Sequence, residues 1–372
     1  MEHTKVQTHT PKYEHEIYKH QTDEKNADAF AWCFTSQEHF EKFPYKQPEL
    51  GPNELRARML YAGLCLSDSH SGRCKWGPAN FPLAPGHENI GEVEAVGENV
   101  TDFKKGDKVA FGTMRYCCGV CKYCTTGKEP LCVEDRSEKF TYGKYWGGYS
   151  THLQQPASHF FKIPEGMDLK RAAPLLCAGI TVYNPIMQYL KPGMKTAVIG
   201  VGGLGHLAVK FFSKMGHECT GITTSMEKEN FIRSLGATDV MTISDPEMCK
   251  KHFMQYDLII NTIPVAGNFD EYLKLVAKSG TMVHVGVPDV SEKITISPML
   301  IVMNELKFVG SIVGSRCDIN QMLDFCHKND VYPIVEEFAF DDFDKALNRL
   351  ENEKPIFRCV VDCGSFSSSK GL

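Results

Sequence analysis

The 372-residue sequence lacks any apolar run long enough to cross a membrane, and residues 1–28 lack the apolar stretch of a secretory signal. Those residues also contain no arginine, which disfavours a mitochondrial transit peptide. Charge of one sign is scarce as well, because 41 basic residues nearly balance 46 acidic ones, for a net charge of -5. We therefore expect a cytoplasmic protein with no membrane and no nucleic-acid partner.

Cysteine, in contrast, is abundant, with 15 residues. Because a reducing compartment keeps thiols free, clustered cysteines there are expected to be metal ligands before disulfides. Hydrophobic residues make up 42% of the chain and charged residues 23%, as in an ordinary globular protein. The length suits two domains.

The chain changes character along its length. Residues 1–28 form a polar leader that we expect outside the core, as a candidate contact for a protein partner. Short β-like runs punctuated by glycine follow to about residue 177, and residues 315–372 are expected to return to this β-rich domain. Between them, residues 178–314 alternate strands with helices, which predicts a doubly wound, six-stranded parallel sheet. Its strands are predicted at residues 197–199, 220–222, 240–241, 258–261, 282–285 and 308–312.

A glycine-rich turn joins the first of these strands to a helix. Gly200, Gly202 and Gly205, with Gly203 and Leu204 between the last two, match the G-x-G-x-x-G pattern. Gly200 allows the tight turn, Gly202 lets the backbone approach a pyrophosphate, and Gly205 lets the helix pack closely on the sheet. The pattern in this context predicts a dinucleotide-binding (Rossmann) domain, with the phosphates at the helix N-terminus.

The end of the second strand indicates which dinucleotide the domain binds. A carboxylate there would bind the ribose hydroxyls of NAD. The sequence instead has Thr223, Thr224 and Ser225, with Lys228 nearby. Hydroxyls and an ammonium suit a 2′-phosphate, so the prediction is NADP(H).

Four cysteines are spaced as Cys118-x2-Cys121-x2-Cys124-x7-Cys132 within a lobe at residues 117–132. Four thiolates at this spacing can close a tetrahedron around zinc, which predicts a structural zinc site. An iron–sulfur cluster is the rival interpretation, but no motif for an electron-transfer partner accompanies it.

Further candidate ligands are scattered, and their spacing alone does not select them. A resemblance does. The G-L-C-L-S-D run at residues 63–68 and the G-H-E-x2-G-x5-G-x2-V run at residues 86–100 resemble signatures of zinc-containing alcohol dehydrogenases of the medium-chain dehydrogenase/reductase superfamily. The four-cysteine lobe and the G-V-G-G-L-G-H turn at residues 200–206 also fit. Residues 310–315 and 322–326 are similar to the cinnamyl alcohol dehydrogenase branch.

The resemblance implies an α/β protein in which a GroES-like, β-rich catalytic domain (29–177 and 315–372) joins the Rossmann domain. It implies two zinc ions per subunit, the second held by Cys65, His87 and Cys177 with one position open to substrate. Glu88 would be a carboxylate able to approach that metal, and Asp68 would orient His87. Ser67 and His70 would carry the alcohol proton to solvent.

Two departures from the family pattern bear on binding. Leu66 stands where the family often has a histidine or arginine that reaches the pyrophosphate, so that contact is in question. The segment 133–146, which shapes the substrate pocket, is short compared with plant members, so their lignin-type substrates are not carried over.

The predicted function is hydride transfer between NADP(H) and a primary alcohol/aldehyde pair. The alternatives are an NAD-linked polyol or formaldehyde dehydrogenase, and a dehydrogenase-fold subunit recruited as a structural or assembly component. The resemblance and an apolar terminal strand at residues 306–313 also predict a homodimer, paired along the sheet edge near residues 308–312.

Overall fold

The computed structural model describes residues 16–353 and 355–366. Its strands, in chain order, are β1 (Ala29–Phe34), β2 (Phe40–Tyr45), β3 (Glu54–Leu64), β4 (Asn89–Val96), β5 (Lys108–Phe111), β6 (His152–Pro156), β7 (Phe160–Lys162), β8 (Thr196–Ile199), β9 (Cys219–Thr223), β10 (Asp239–Thr242), β11 (Tyr256–Asn261), β12 (Gly267–Asn268), β13 (Val276–His284), β14 (Ile294–Thr295), β15 (Lys307–Gly310), β16 (Val335–Ala339) and β17 (Arg358–Asp362). Its α-helices are α1 (Leu66–Gly72), α2 (Arg136–Lys139), α3 (Leu169–Ala172), α4 (Ala178–Tyr189), α5 (Gly205–Lys214), α6 (Glu229–Ser234), α7 (Pro246–Lys251), α8 (Asp270–Leu273), α9 (Pro298–Asn304), α10 (Arg316–Asn329) and α11 (Phe343–Asn352).

The predicted six-stranded parallel sheet is confirmed, in the order β10-β9-β8-β11-β13-β15. Helices α4 and α5 cover one face and share an apolar core with β8 and β11. Residues of α8 and α9 pack with the core on the other face. Strand β15 ends at Gly310, two residues before the predicted end, because its ladder partner β13 ends at His284, opposite Gly310.

The second large sheet has the order β16-β17-β3-β4-β5-β7, and β6 also pairs with β3. Its long strand β3 is central because it pairs with β4, β6 and β17. The C-terminal segment returns to this sheet through β16 and β17, and α11 packs on β17. Helix α10, between the two sheets in sequence, buries Met322 and Cys326 in the core that contains α4 and α5.

We expected the polar leader to lie outside the core, but part of it is buried. Glu16–His20 form a short 3-10 helix, and Ile17 within it is 0% exposed. Ile17 belongs to the apolar core of the β-rich domain, because it is an aliphatic side chain placed beside an aromatic-rich cluster. Residues 1–15 lie outside the described residues.

Helix α10, with 14 residues, is the longest helix in the described ranges. None of the helices in those ranges combines the length and the apolar character needed to cross a bilayer.

Candidate active site

The four-cysteine lobe brings its sulfurs to one point. The Sγ atoms of Cys118, Cys121, Cys124 and Cys132 all lie within 4.8 Å of one another. Cys124 Sγ lies 3.6 Å from Cys121 Sγ and 3.9 Å from Cys118 Sγ. Four sulfurs at the usual zinc–sulfur distance would be roughly 3.8 Å apart, so the donor set fits a closed tetrahedral zinc site.

Backbone groups in the lobe favour thiolates. The N–H of Cys121 donates to Cys118 Sγ, and the N–H of Cys118 donates to Cys132 Sγ, each at 3.4 Å. Hydrogen bonds to sulfur stabilise its negative charge and orient it. The neighbouring Cys117 is outside the four-sulfur group.

A second cluster joins residues that are far apart in the sequence. Cys65, His87, Glu88 and Cys177 are all buried, and one ligand atom from each lies within 4.8 Å of the others. Each position lies at the border of an element: Cys65 between β3 and α1, the His87–Glu88 pair before β4, and Cys177 before α4. Two sulfurs, an imidazole and a carboxylate are donors that suit zinc.

Asp68 holds this cluster in place. Its Oδ1 lies 2.8 Å from His87 Nδ1 and accepts the Gly86 N–H at 2.9 Å. Because Nδ1 is engaged, the nitrogen of His87 left for a metal is Nε2. Asp68 Oδ2 accepts the Tyr149 hydroxyl at 2.8 Å and the Cys65 N–H at 3.3 Å. The sequence analysis found Asp68 but not Tyr149, whose only signal is its place after two glycines.

Glu88 has a partner that the sequence analysis missed. Arg358, at the start of β17, contacts Glu88 Oε1 and donates to the Leu64 carbonyl at 2.8 Å. Burial raises the pKa of Glu88, and the charge of Arg358 opposes that shift. Glu88 Oε2 is buried without a hydrogen-bond partner in the described part of the chain, so one carboxylate oxygen is available. The signal in the sequence was a cation that directly precedes three apolar residues of a predicted strand.

Gly63 makes room for that carboxylate, since a Cβ at this position would collide with Glu88 Oε2. The glycine of the G-L-C-L-S-D run therefore has a packing reason.

The two candidate relay residues lie on α1. Ser67 and His70 are three residues apart, which places them on one face of the helix. Ser67 Oγ lies 3.5 Å from Cys65 Sγ, at the metal-ligand cluster. Burial, with the charge of Lys75, lowers the pKa of His70 below its usual 6.5. The histidine is therefore neutral at pH 7 and able to accept a proton.

A cavity of about 790 Å³ extends from this cluster to the nucleotide sheet. Cys65 and Leu66 line one end, and the glycine turn lines the middle. Gly200 has φ +83°, which its tight turn requires. A Cβ on Gly205 would collide with the Gly200 carbonyl, whereas a Cβ on Gly202 would meet nothing within 4 Å. The turn thus leaves room for a pyrophosphate and fits a dinucleotide. Gly203 and Leu204 also line the cavity.

The far end of the cavity is lined by Thr223, Thr224 and Lys228. Ser225 Oγ accepts the Glu227 N–H at 3.2 Å and caps the following 3-10 helix, and its contact with the cofactor stays a prediction. The C-terminal segment supplies further lining residues that the sequence analysis missed, namely Pro355, Ile356, Phe357 and Arg358.

A glycine turn on a doubly wound sheet, opening onto a buried cysteine–histidine–cysteine cluster, defines a zinc-type dehydrogenase. The family model "Alcohol dehydrogenase GroES-like domain" matches residues 51–165, and "Zinc-binding dehydrogenase" matches residues 203–328. Aldehyde reductase AdhA of Synechocystis sp. is 37% identical over 320 residues, which are 86% of this chain and 94% of that protein.

Solved structures agree. A cinnamyl alcohol dehydrogenase from Sorghum bicolor superposes with a TM-score of 0.85 at 32% identity, over 92% of this chain and 99% of that one. The CAD of Helicobacter pylori, complexed with NADP(H), gives 0.82 at 31% identity over the same shares. The chain belongs to the zinc-containing alcohol dehydrogenases of the medium-chain dehydrogenase/reductase superfamily, close to the cinnamyl alcohol dehydrogenase branch, which confirms the resemblance.

Proposed function

We propose that the protein transfers a hydride between NADP(H) and a primary alcohol/aldehyde pair, using two zinc ions per subunit. One observation carries this proposal: a single cavity is lined both by Cys65 of the ligand cluster and by the glycine turn of the nucleotide sheet. A substrate atom at the metal and a nicotinamide ring above the turn would therefore share one space.

Cys65, His87 and Cys177 would hold the catalytic zinc, with Glu88 near the open position. Cys118, Cys121, Cys124 and Cys132 would hold the structural zinc. When bound, the catalytic zinc supplies a Lewis acid for the substrate oxygen and NADP(H) supplies the hydride carrier.

The protein's own side chains would move the proton. The Ser67 hydroxyl would accept the proton of the alcohol and pass a proton to His70, which would release it to solvent. Asp68 would keep the His87 ring fixed while the charge changes. The cavity walls formed by Leu66 and Ile356 are apolar and would limit water at the reacting carbon.

The far end of the cavity supports NADP(H). Thr223 and Thr224 offer hydroxyl donors and Lys228 offers an ammonium. A hydrogen bond to a charged group is worth roughly 1.5–3 kcal/mol, and solvent at the rim reduces that, so a net gain of about 2–4 kcal/mol is expected. The preference for NADPH over NADH in kcat/KM should then be roughly 30- to 1000-fold.

The experiment assays a panel of aliphatic, aromatic and cinnamyl aldehydes with NADPH and NADH, and assays formaldehyde and a polyol with NADP⁺ and NAD⁺. Aldehyde reduction that prefers NADPH supports the proposal. Thr224→Asp should reverse the cofactor order by repulsion, with Thr242→Ala as a control on a neighbouring strand. NAD⁺-linked oxidation of the polyol or formaldehyde alone would favour the alternative dehydrogenase, and no turnover would favour a recruited subunit.

We also propose a homodimer and a cytoplasmic location. Strand β15 is one of the two edge strands of the nucleotide sheet. On α9, which precedes β15, Met299, Val302 and Met303 are 68%, 70% and 69% exposed. Such apolar exposure beside an edge strand is typical of an interface. Light scattering should give twice the 41.7 kDa chain mass, and a monomer at micromolar concentration would contradict the dimer. The location is supported by the 15 cysteines, all of which lie in the described residues and are free.

A further inference from the structure

The docked part of the leader, residues 16–21, contacts the end of β2 and also residues 140–149 of the β-rich domain. The Glu16 N–H donates to the Lys144 carbonyl at 2.8 Å, and the Glu16 carboxylate lies 3.7 Å from Lys144 Nζ. The His20 ring packs edge-on against Trp146, with centroids 6.1 Å apart. Ile17 anchors the segment in the core.

The contacted segment, residues 140–149, is part of the active site. We name it the active-site loop. The ring of Tyr142 lies edge-on to the His87 ring, with centroids 6.0 Å apart, and 6.3 Å from the Trp76 ring. At the end of the loop, the Gly147 and Gly148 N–H groups donate to the carbonyls of Ala84 and Gly86, next to His87. The loop therefore borders the metal-ligand cluster directly.

The active-site loop is fixed at both ends, and the leader supports its middle. At one end the Thr141 N–H donates to the Thr113 carbonyl, and at the other Gly147 bonds to Ala84. Residues 142–146 form backbone hydrogen bonds mainly with their own neighbourhood, residues 135–149. The bond that reaches them from elsewhere in the described chain comes from the Glu16 N–H. Side chains add to this support, since the Arg115 guanidinium lies 3.5 Å from the Tyr145 ring centroid.

We propose that residues 16–21 are a positioning element that holds Tyr142 against His87 and thereby sets the width of the substrate site. The proposal rests on the proposed function. The partner of this part of the leader is then the chain's own active-site loop. Releasing the leader would let Tyr142 move away from the metal-ligand cluster, while the nucleotide cavity on the other side of Cys65 would be unaffected.

The test uses the full chain. Ile17→Asp would place a carboxylate in an apolar core, and undocking the segment costs less than burying that charge. We expect KM for a small aldehyde to rise about ten-fold, with KM for NADPH unchanged. Amide hydrogen exchange across residues 142–146 should accelerate. Tyr18→Ala, at a neighbour that is 50% exposed, is the matched control and should behave as the unaltered protein.

A second pair of variants tests the hydrogen bond from the Glu16 N–H to the Lys144 carbonyl. Glu16→Pro deletes the N–H that bonds to Lys144 at a position where a helix tolerates proline, whereas Glu16→Ala keeps it. Glu16→Pro should show the same KM rise and faster exchange in residues 142–146, even if Ile17→Asp fails to fold. Native KM and native exchange in Glu16→Pro would overturn the proposal. An equal effect of Glu16→Ala would support positioning by the ion pair of Glu16 with Lys144 instead of by the backbone bond.

The two proposals fail differently. If the unaltered protein reduces no aldehyde, the proposed function fails, and hydrogen exchange alone then reports whether the leader holds the loop. If aldehydes are reduced but the variants keep native KM, only the positioning role is lost.

Discussion

The two cysteine-containing sites are built in opposite ways. The four sulfurs of the lobe come from residues 118–132, on one loop with short 3-10 turns. The catalytic cluster takes Cys65, His87 and Cys177 from the borders of three separate elements. The lobe would depend on the proposed structural zinc for a defined conformation, whereas the cluster of Cys65, His87 and Cys177 is positioned by two sheets that fold around apolar cores. A local site can thus serve stability, and a site assembled by the fold can keep a position open for chemistry.

The largest expected effect comes from substituting ligands of the two sites, which should affect turnover at one site and stability at the other. Cys65→Ala or His87→Ala should abolish turnover while the fold survives, because the surrounding sheets do not depend on that metal. Cys124→Ala should instead lower the unfolding temperature and the yield, since structural zinc is worth about 10–16 kcal/mol in small peptides. Cys117→Ala, beside the lobe but outside its sulfur group, is the control. Thermal melts and elemental analysis measure both outcomes.

If Cys124→Ala melts at the native temperature, the lobe has no structural role. If Cys65→Ala fails to fold, the contrast between the two sites disappears.

Metal removal tests the same contrast in the unaltered protein. We expect two zinc ions per subunit, lost in two phases on dialysis against a chelator. The site with an open position should lose its ion first, together with activity, because water and chelator reach it more readily than four closed thiolates. Zinc content, activity and melting temperature are followed in parallel. A single phase, or one zinc per subunit at the start, would contradict this order.

His70→Ala tests the proposed proton relay at the site with the open position. Turnover should fall by roughly 10²–10⁴-fold, the range for general acid–base groups. Since burial lowers the pKa of His70 below 6.5, its proton-accepting form persists at pH 7 and is lost as the pH falls through that lowered value. Alcohol oxidation should therefore lose rate on the acid side, and the variant should lack that limb. Ser71→Ala on the same helix is the control. A His70→Ala variant with the native rate at every pH would exclude the relay.

The last prediction concerns stability rather than turnover, at the buried ion pair beside the open site. Arg358→Met leaves Glu88 buried without its cation, which should cost about 3–5 kcal/mol of unfolding free energy. Adding Glu88→Gln removes the unpaired charge, so the double variant should regain part of that loss. Urea unfolding measures both. A double variant less stable than Arg358→Met alone would show that the charge is not the cause.

Much of the fold was predictable because its signals are local. The glycine turn, the strand–helix alternation and the four-cysteine spacing each lie within a short window of sequence. The catalytic ligands required the family resemblance, because nothing in the spacing links Cys65 to Cys177. Contacts between distant elements carried no local signal at all: the pair of Arg358 with Glu88, the hydrogen bond of Tyr149 to Asp68, and the burial of Ile17. Ser225 has a further role that the motif did not predict, since its hydroxyl oxygen caps a 3-10 helix.

Strand β17 gives the protein a definite order of assembly during translation. This strand lies between β16 and β3, and it carries Arg358 to Glu88. Domains generally fold as units while the chain leaves the ribosome. The nucleotide sheet, complete at β15, and helix α10, which packs in its core, can form before the second large sheet receives β16 and β17. The pair of Arg358 with Glu88, beside the candidate metal ligands, therefore forms only when nearly the whole chain has been synthesised, and a product truncated before β17 would lack it.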